Sequence, residues 1–207
     1  MSLVDRVVAM SSHPLSRRSS EQLVPGPALP NSPIRVEVVH YDGATGPVAR
    51  VELSPSSDID GVVVVARDHL ERIAVVRQFR SAVDRFLWEL PRGLGATGSA
   101  VQDARRELEE ETGARALRLE VLGHLHPDAG VQRQRMLVVR AWVDEASTRP
   151  VDVEEISSAA WWEPARLRDA ITEGVLCDGI SLAALHLDHC APRHAAQDPG
   201  TSADRVR

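Results

Sequence analysis

Lysine is missing altogether: all 24 basic residues of the 207-residue chain are arginines. That removes Schiff-base chemistry and the lysine of a phosphate-binding loop from consideration. Cysteine is nearly missing as well. Cys177 and Cys190 are the only two and do not form a CxxC pair, so a disulfide framework and a four-cysteine zinc site both fail on count. Two reduced, structural thiols are expected. Long apolar runs are absent too. The longest, Val62–Ala66, is far below the roughly 20 residues that span a bilayer. The first ten residues lack the charged start and apolar stretch of a secretory signal, which points to the cytoplasm. A net charge of −6 argues against non-specific nucleic-acid binding, which needs a basic surface. The expected partner is therefore a small molecule, with neither nucleic acid nor membrane.

The remaining composition, 43% hydrophobic and 26% charged, suits one globular domain. Residues 1–32 are rich in Ser, Pro and Arg without sustained periodicity and read as a mobile arm that would be free or docked on a partner subunit. Residues 190–207 read as a frayed tail, leaving 33–189 as the domain. Ile34–Tyr41 alternates like a strand, and Asp42-Gly43 supplies a turn before Val48–Leu53. Ile59–Ala66 and Arg72–Phe79 read as a hairpin, and Phe86–Leu90 as a short strand stopped by Pro91. Further strands are expected at Leu117–Leu125, Met136–Val143 and Ser157–Glu163, and helices at Pro164–Glu173 and Ile180–Leu187. Strands on both sides of a central helix imply an α+β fold or a mixed sheet covered by helices.

The central helix carries the chemistry. Ser99–Gln102 has the form of a capping box, and Gly113 stands where a C-terminal glycine cap would. At 100° per residue, Val101, Ala104, Leu108 and Thr112 share the arc that a core would take. Asp103, Glu107, Glu110 and Glu111 share the adjoining arc. Glu107 and Glu111 are one turn apart, and like charges at that spacing repel unless something neutralises them. A solvated acidic face is the competing reading. A hard divalent cation with oxygen ligands is the functional one, since Mg²⁺ commonly bridges such carboxylates to substrate phosphates.

A family resemblance favours the cation. Arg106–Ala114 (RELEEETGA) matches the second half of the Nudix box, R-E-U-x-E-E-x-G-U with U aliphatic. Trp88–Gly93 (WELPRG) resembles the WELPxG segment of the ADP-ribose pyrophosphatase branch, and Val75–Arg80 (VVRQFR) resembles the strand before it. Gly174–Leu185 resembles its closing helix, so the likeness runs over about residues 34–188. It implies a Nudix-type α/β/α sandwich with a mixed sheet and an N-terminal antiparallel strand region. It also implies hydrolysis of the diphosphate linkage of a nucleoside diphosphate joined to another moiety, with ADP-ribose or a nucleotide sugar favoured. By the same resemblance Glu107, Glu110 and Glu111 would hold Mg²⁺ or Mn²⁺, with the Arg92 carbonyl as a further ligand. Arg106 would orient a box glutamate through an ion pair, and Arg80, Glu89 and Asp128 would contact substrate. A homodimer paired through the N-terminal strands is also implied.

The sequence departs from that pattern twice. Thirteen positions separate Gly93 from Arg106, one fewer than in the family's box. The first box glutamate is thereby lost, with Gly98 and Ser99 in its place; altered activity is expected rather than none. The loop that brings a catalytic glutamate to the site in this branch corresponds to His126–Gln134, which ends in an amide that cannot act as a base. His126, Asp128, Glu154 and Glu155 remain as substitutes. The alternative activity is a non-catalytic Nudix-fold module that senses ADP-ribose-like ligands; a Nudix hydrolase of dinucleoside polyphosphates or nucleoside triphosphates is a third.

Other signals weigh less. Gly93–Gly98 spells GxGxxG, but Pro91 interrupts its approach and no acid follows where a ribose ligand should sit. His124 and His126 are assigned to opposite strand faces, a poor metal pair, and His186, His189, Cys190 and His194 lack the second ligand pair of a zinc site. Trp161 and Trp162 point to opposite faces, so at least one is expected in the core.

Overall fold

The computed structural model describes residues 15–22, 34–55, 59–151 and 156–192. Strands β1 (Leu15–Gln22), β2 (Ile34–Gly43) and β3 (Gly46–Pro55) form an antiparallel sheet in that order. Gly43 opposite Gly46 closes the expected turn. Strand β1 lies inside the stretch read as an arm. Its residues (LSRRSSEQ) present no apolar face for a pattern to reveal, and backbone pairing from Leu15 opposite Gly43 to Gln22 opposite Glu37 makes the strand. The ends beyond these residues, including residues 193–207 of the proposed tail, lie outside the described part.

The second sheet holds β4 (Gly61–Arg67), β5 (Ile73–Arg80), β6 (Arg85–Glu89), β7 (Arg92–Gly93), β8 (Ala116–Leu125), β9 (Met136–Val143) and β10 (Ile156–Trp162). Its path is β10-β5-β4-β9-β8, with β6 against β5 and β7 against β4. The β4–β9 pair is parallel and the others are antiparallel, so the sheet is mixed. The expected β4–β5 hairpin exists but touches only at its turn, Arg67 opposite Ile73. Beyond it the strands splay. β4 takes β7 through Val62–Gly93 and Val63–Arg92, while β5 takes β6. The splay is what lets residues 90–93 enter the sheet.

Alternation along β4 builds two cores. Val63 and Val65 face one layer with Val75, Leu90 and Val138, roofed by α2 (Pro164–Thr172) and α3 (Gly179–Cys190) through Leu167, Ala170 and Ala184. Val64 and Ala66 face the other, with Val139 and Ala141, roofed by α1 (Ala100–Thr112) through Ala104 and Leu108. Helices on both faces of one mixed sheet make the α/β/α sandwich. Truncating Leu108 to Ala in so closed a layer would cost about 2–5 kcal/mol. Trp162 and Trp161 pack into the first and second cores respectively, so both are used for packing. Among the described residues no helix is long and apolar enough to cross a membrane.

Helix α1 starts and stops as its sequence dictates. The Ser99 hydroxyl accepts from Gln102 N–H, and Gly113 adopts φ 72° to end the helix with its own N–H on Glu109 O. A Cβ at Gly113 would also lie 2.4 Å from Arg149 O, so no other residue fits. Val101 does not join the core: it is 39% exposed. The buried face is rotated toward the acids, and Asp103, Glu107 and Glu111 are buried beside Ala104 and Leu108.

Two ion-pair systems stabilise the frame. Arg140, in the middle of β9, donates through Nε to Asp188 Oδ1 at 2.5 Å and through Nη2 to Asp188 O at 2.8 Å. Arg67 also pairs with Asp188, so two arginines clamp α3 onto the sheet. In the β4–β5 turn, Asp68 Oδ1 accepts from Leu70 N–H and Arg72 N–H at 3.0 and 2.9 Å, and Oδ2 from Arg72 Nε at 2.7 Å. Burial pushes the Asp68 carboxyl up, but these donors outweigh it and hold it below the usual carboxylate range.

Asp188→Ala would strand two largely buried guanidinium groups, and a loss of about 3–5 kcal/mol is expected. Urea unfolding measures it; a change under about 1 kcal/mol would show the clamp to be idle. For Asp68, a depressed folded pKa means stability that is present above the unfolded value of about 3.9 and lost as pH falls through the folded one. Asp68→Asn should therefore lower the melting temperature at neutral pH, and the gap to wild type should narrow below about pH 4. A gap independent of pH would exclude a charged role for Asp68.

Candidate active site

Because residues 90–93 enter the sheet beside β4, they lie beneath the acidic face of α1. At Gly93 a Cβ would fall 2.0 Å from Glu107 Oε1, so glycine is obligatory if Glu107 is to lie over the strand. One residue earlier, Arg92 N–H donates to Glu111 Oε2 at 3.1 Å. Two carboxylates one helical turn apart are thus seated on two adjacent backbone units. Glu111 is 6% exposed and Glu107 7%. The three glycines of the GxGxxG spelling have separate local causes: Gly93 makes room for Glu107, Gly95 lies against Asp60 O and Ile59, and Gly98 takes φ 76°.

Burial sets the electrostatics. Withdrawal from water, with the neighbouring Glu107 charge, pushes Glu111 up to about 9 against the pull of Arg92 N–H. Burial also raises Glu107, and Glu110 and Asp103 add to it, while the Arg106 guanidinium pulls the other way without winning. Arg106 holds Glu107 through Nη2 at 2.7 Å and Glu110 through Nη1 at 2.7 Å, the ion pairing expected of it. Among the described residues, no three His, Cys, Asp or Glu side chains are grouped closely enough to hold a metal as they stand. Arg106 occupies two of the three box glutamates instead. The donor set nevertheless fits a divalent cation. Glu107 and Glu111 are buried, hard oxygen donors; Glu111 has no arginine paired to it, and Glu107 lies over a cradle at Gly93 that a Cβ would fill.

Behind the pair stands a second network. Glu89 has no exposed surface and accepts from Arg80 Nη2 at 2.6 Å and Arg92 Nη2 at 2.8 Å. Arg92 Nη2 also reaches Asp178 Oδ1 at 3.2 Å. Asp178 caps α3 through Ser181 N–H at 2.8 Å, and the Ser181 hydroxyl accepts from Leu90 N–H at 2.9 Å. Glu89, expected to contact substrate, has no exposed surface and is sealed in this network by Arg80 and Arg92.

These residues border a cavity of about 830 Å³. Arg80, Arg92, Arg106, Glu107, Glu110 and Glu111 line one side, and Pro127, Gln132, Gln134 and Met136 line another. Asp128 is not among its lining residues. It is exposed and its Oδ1 accepts from Gly130 N–H at 3.0 Å, shaping its own turn. His126 opens instead on a neighbouring hollow with Tyr41 and Glu52, and Glu154 and Glu155 lie outside the described residues. Residues two apart in an extended strand share a face, so placing His124 and His126 on opposite faces was mistaken; their rings meet edge to face at 5.9 Å.

Sequence reasoning missed the role of Asp103. It is 1% exposed and accepts from Ala96 N–H and Thr97 N–H, both at 3.1 Å, closing the shortened box loop from within. Its signal was the position one turn before Glu107 on the acidic arc.

The NUDIX domain family model matches residues 58–178. An ADP-ribose pyrophosphatase of Mycobacterium tuberculosis (strain ATCC 25618 / H37Rv) is 31% identical over 140 residues, covering 66% of this chain and 68% of that protein. A crystal structure of an ADP compounds hydrolase shares the fold with a TM-score of 0.69 at 21% identity, over 87% of this chain and 95% of the other. With the box half on α1 and the sandwich around it, the chain belongs to the Nudix hydrolase family, in its ADP-ribose pyrophosphatase-like branch.

Proposed function

We propose that this Nudix pyrophosphohydrolase cleaves the diphosphate linkage of ADP-ribose or a nucleotide sugar, in a reaction dependent on Mg²⁺ or Mn²⁺, giving two monophosphates. The observation that carries the reading is the buried Glu107–Glu111 pair on the wall of a cavity of about 830 Å³, within the roughly 300–1,000 Å³ of small-molecule sites. The relatives named above point to the same substrate class.

Glu107, Glu110 and Glu111 are the residues that would hold the cation, with the Arg92 carbonyl beside them. When bound, the ion supplies Lewis-acid polarisation of the phosphoryl oxygens and a lowered pKa for water. The protein's own contributions are distinct. Gly93 leaves room for Glu107, and Arg92 N–H fixes one oxygen of Glu111. Arg106 holds Glu107 and Glu110 in register and so positions both. Arg80, a third exposed at its side chain yet anchored on Glu89, offers its remaining donors to an anionic group in the cavity.

Gln134 favours a second reading, a module that binds ADP-ribose-like ligands without turnover. Among the described residues β1 is an edge strand, which supports a homodimer; the Nudix domain at residues 33–189 and work in the cytoplasm complete the proposal.

Purified protein given ADP-ribose, nucleotide sugars, dinucleotides and nucleoside triphosphates, with a phosphatase to reveal monophosphates, should release phosphate from the first two classes only. Release should require Mg²⁺ or Mn²⁺ and stop with chelator. Turnover unaffected by chelator would sink the metal reading, and ADP-ribose binding without turnover would select the sensor. Glu110→Gln, at a half-exposed position outside both cores, should leave the melting temperature nearly unchanged. It should lower turnover by about a hundredfold or more; full activity would remove Glu110 from the metal site.

A further inference from the structure

The part of the cavity lining supplied by residues 127–136 differs in kind from the part supplied by α1. Pro127, Gln132, Gln134 and Met136 carry no charge. Gln132 and Gln134 both line the cavity, and Gln134 also borders a second hollow with Ser54 and Asp60. Gln134 Nε2 is buried and has no hydrogen-bond partner. An unsatisfied buried donor costs free energy that an incoming acceptor would recover.

The segment is fixed from behind. Leu53 N–H donates to Val131 O at 2.8 Å, and Arg133 N–H to Leu53 O at 3.0 Å, so β3 grips the chain on either side of Gln132. Arg133 Nε holds Glu52 Oε2 at 2.7 Å, and Glu52 is also the acceptor of the Tyr41 hydroxyl. Arg135 clasps Asp60 through Nη2 and Oδ2 at 2.6 Å. Gln134 thus lies between two arginines held by their own acids, with its Nε2 unpaired at the border of the cavity.

Resting on the reading of the site as a diphosphate hydrolase, we infer that Gln134 is a substrate-contacting residue whose amide donates a hydrogen bond to a phosphoryl oxygen of the diphosphate. The charge balance of the cavity explains why an amide stands there. The α1 wall already carries Glu107, Glu110 and Glu111, and two of the lining arginines, Arg92 and Arg106, are engaged with carboxylates of the protein. An amide adds no further negative charge to that lining and supplies a donor that an ionised carboxylate of the same shape lacks. Gln134 sets substrate affinity and takes no proton.

The test compares wild type, Gln134→Ala and Gln134→Glu. Affinities for ADP-ribose and for inorganic diphosphate are measured by calorimetry with Mg²⁺, and turnover is measured where it occurs. Melting curves confirm folding. Gln134→Ala should weaken both ligands by roughly tenfold or more, the loss typical of one hydrogen bond to a charged group. It should raise KM and lower kcat/KM by a comparable factor. Gln134→Glu should bind more weakly still, because it replaces the donor by an anion. Equal affinity in Gln134→Glu and wild type would mean a hydroxyl partner and overturn the phosphoryl contact. A rise in kcat in Gln134→Glu would mean that this position lacks a base rather than supplies a donor, and would overturn it too. No binding of either ligand to wild type would likewise remove it. A wild type that binds both ligands in a Gln134-dependent manner but turns over nothing would refute hydrolysis and leave the contact standing.

Discussion

The carboxylate of Glu89 is the fixed point of this site. It has no exposed surface and is shared by Arg80 and Arg92, each within 2.8 Å. A buried charge is tolerable only when paired and fully hydrogen-bonded, so the two guanidinium groups cannot leave without stranding it. Arg92 then reaches Asp178, which caps α3, whose Ser181 takes Leu90 N–H. The backbone from Leu90 to Gly93 is held at both ends by this chain of contacts. Only because that backbone is fixed can Arg92 N–H meet Glu111 and Gly93 make room for Glu107. The carboxylates on α1 owe their geometry to a network that begins beside them and ends on α3, the helix of the opposite layer.

Much of this was legible in the sequence because the elements are periodic. The apolar run at Val62–Ala66 fills both cores, and Ser99 and Gly113 mark the ends of α1 by ordinary capping chemistry. The acidic arc was legible too, and so was the ion pair from Arg106. Other features were not, for physical reasons. Strand β1 has no apolar face, so only the backbone of β2 makes it a strand. Val101 fits the helical stripe but lies at the open first turn, where the sheet does not cover it. Asp128 has a local use that no spacing reveals, its side chain satisfying a turn. Glu89 resembled a substrate ligand because it stands next to residues that are in reach of substrate. Its burial depends on contacts 9 and 89 residues away, with Arg80 and Asp178, the latter through Arg92.

Absence of lysine gives the molecule a consistent style of charge pairing. Planar guanidinium groups serve several carboxylates at once: Arg106 holds Glu107 and Glu110, Arg92 holds Glu89 and Asp178, and Arg140 holds both the side chain and the carbonyl of Asp188. An ammonium is a compact, strongly hydrated charge and would form fewer such directed contacts when buried. The same multiplicity explains how α1 tolerates adjacent acids. Arg106 relieves Glu107 and Glu110 but does not reach Glu111, which is left deepest and raised to about 9.

That residual strain has a direction. Residues whose local arrangement runs against stability are expected at functional sites, where a ligand restores the balance. Here the unbalanced groups border one cavity: a carboxyl on α1 that no arginine pairs, Glu111, and an amide nitrogen that lacks an acceptor, at Gln134. A cation alone answers the first and leaves the second. An anion alone answers the second and worsens the first. A diphosphate accompanied by a divalent cation answers both, because the ion neutralises the glutamates and the phosphoryl oxygens accept from the amide. The two deficits are complementary to one ligand class, and that complementarity links the acidic box on α1 to a glutamine that sequence comparison alone would record as a loss.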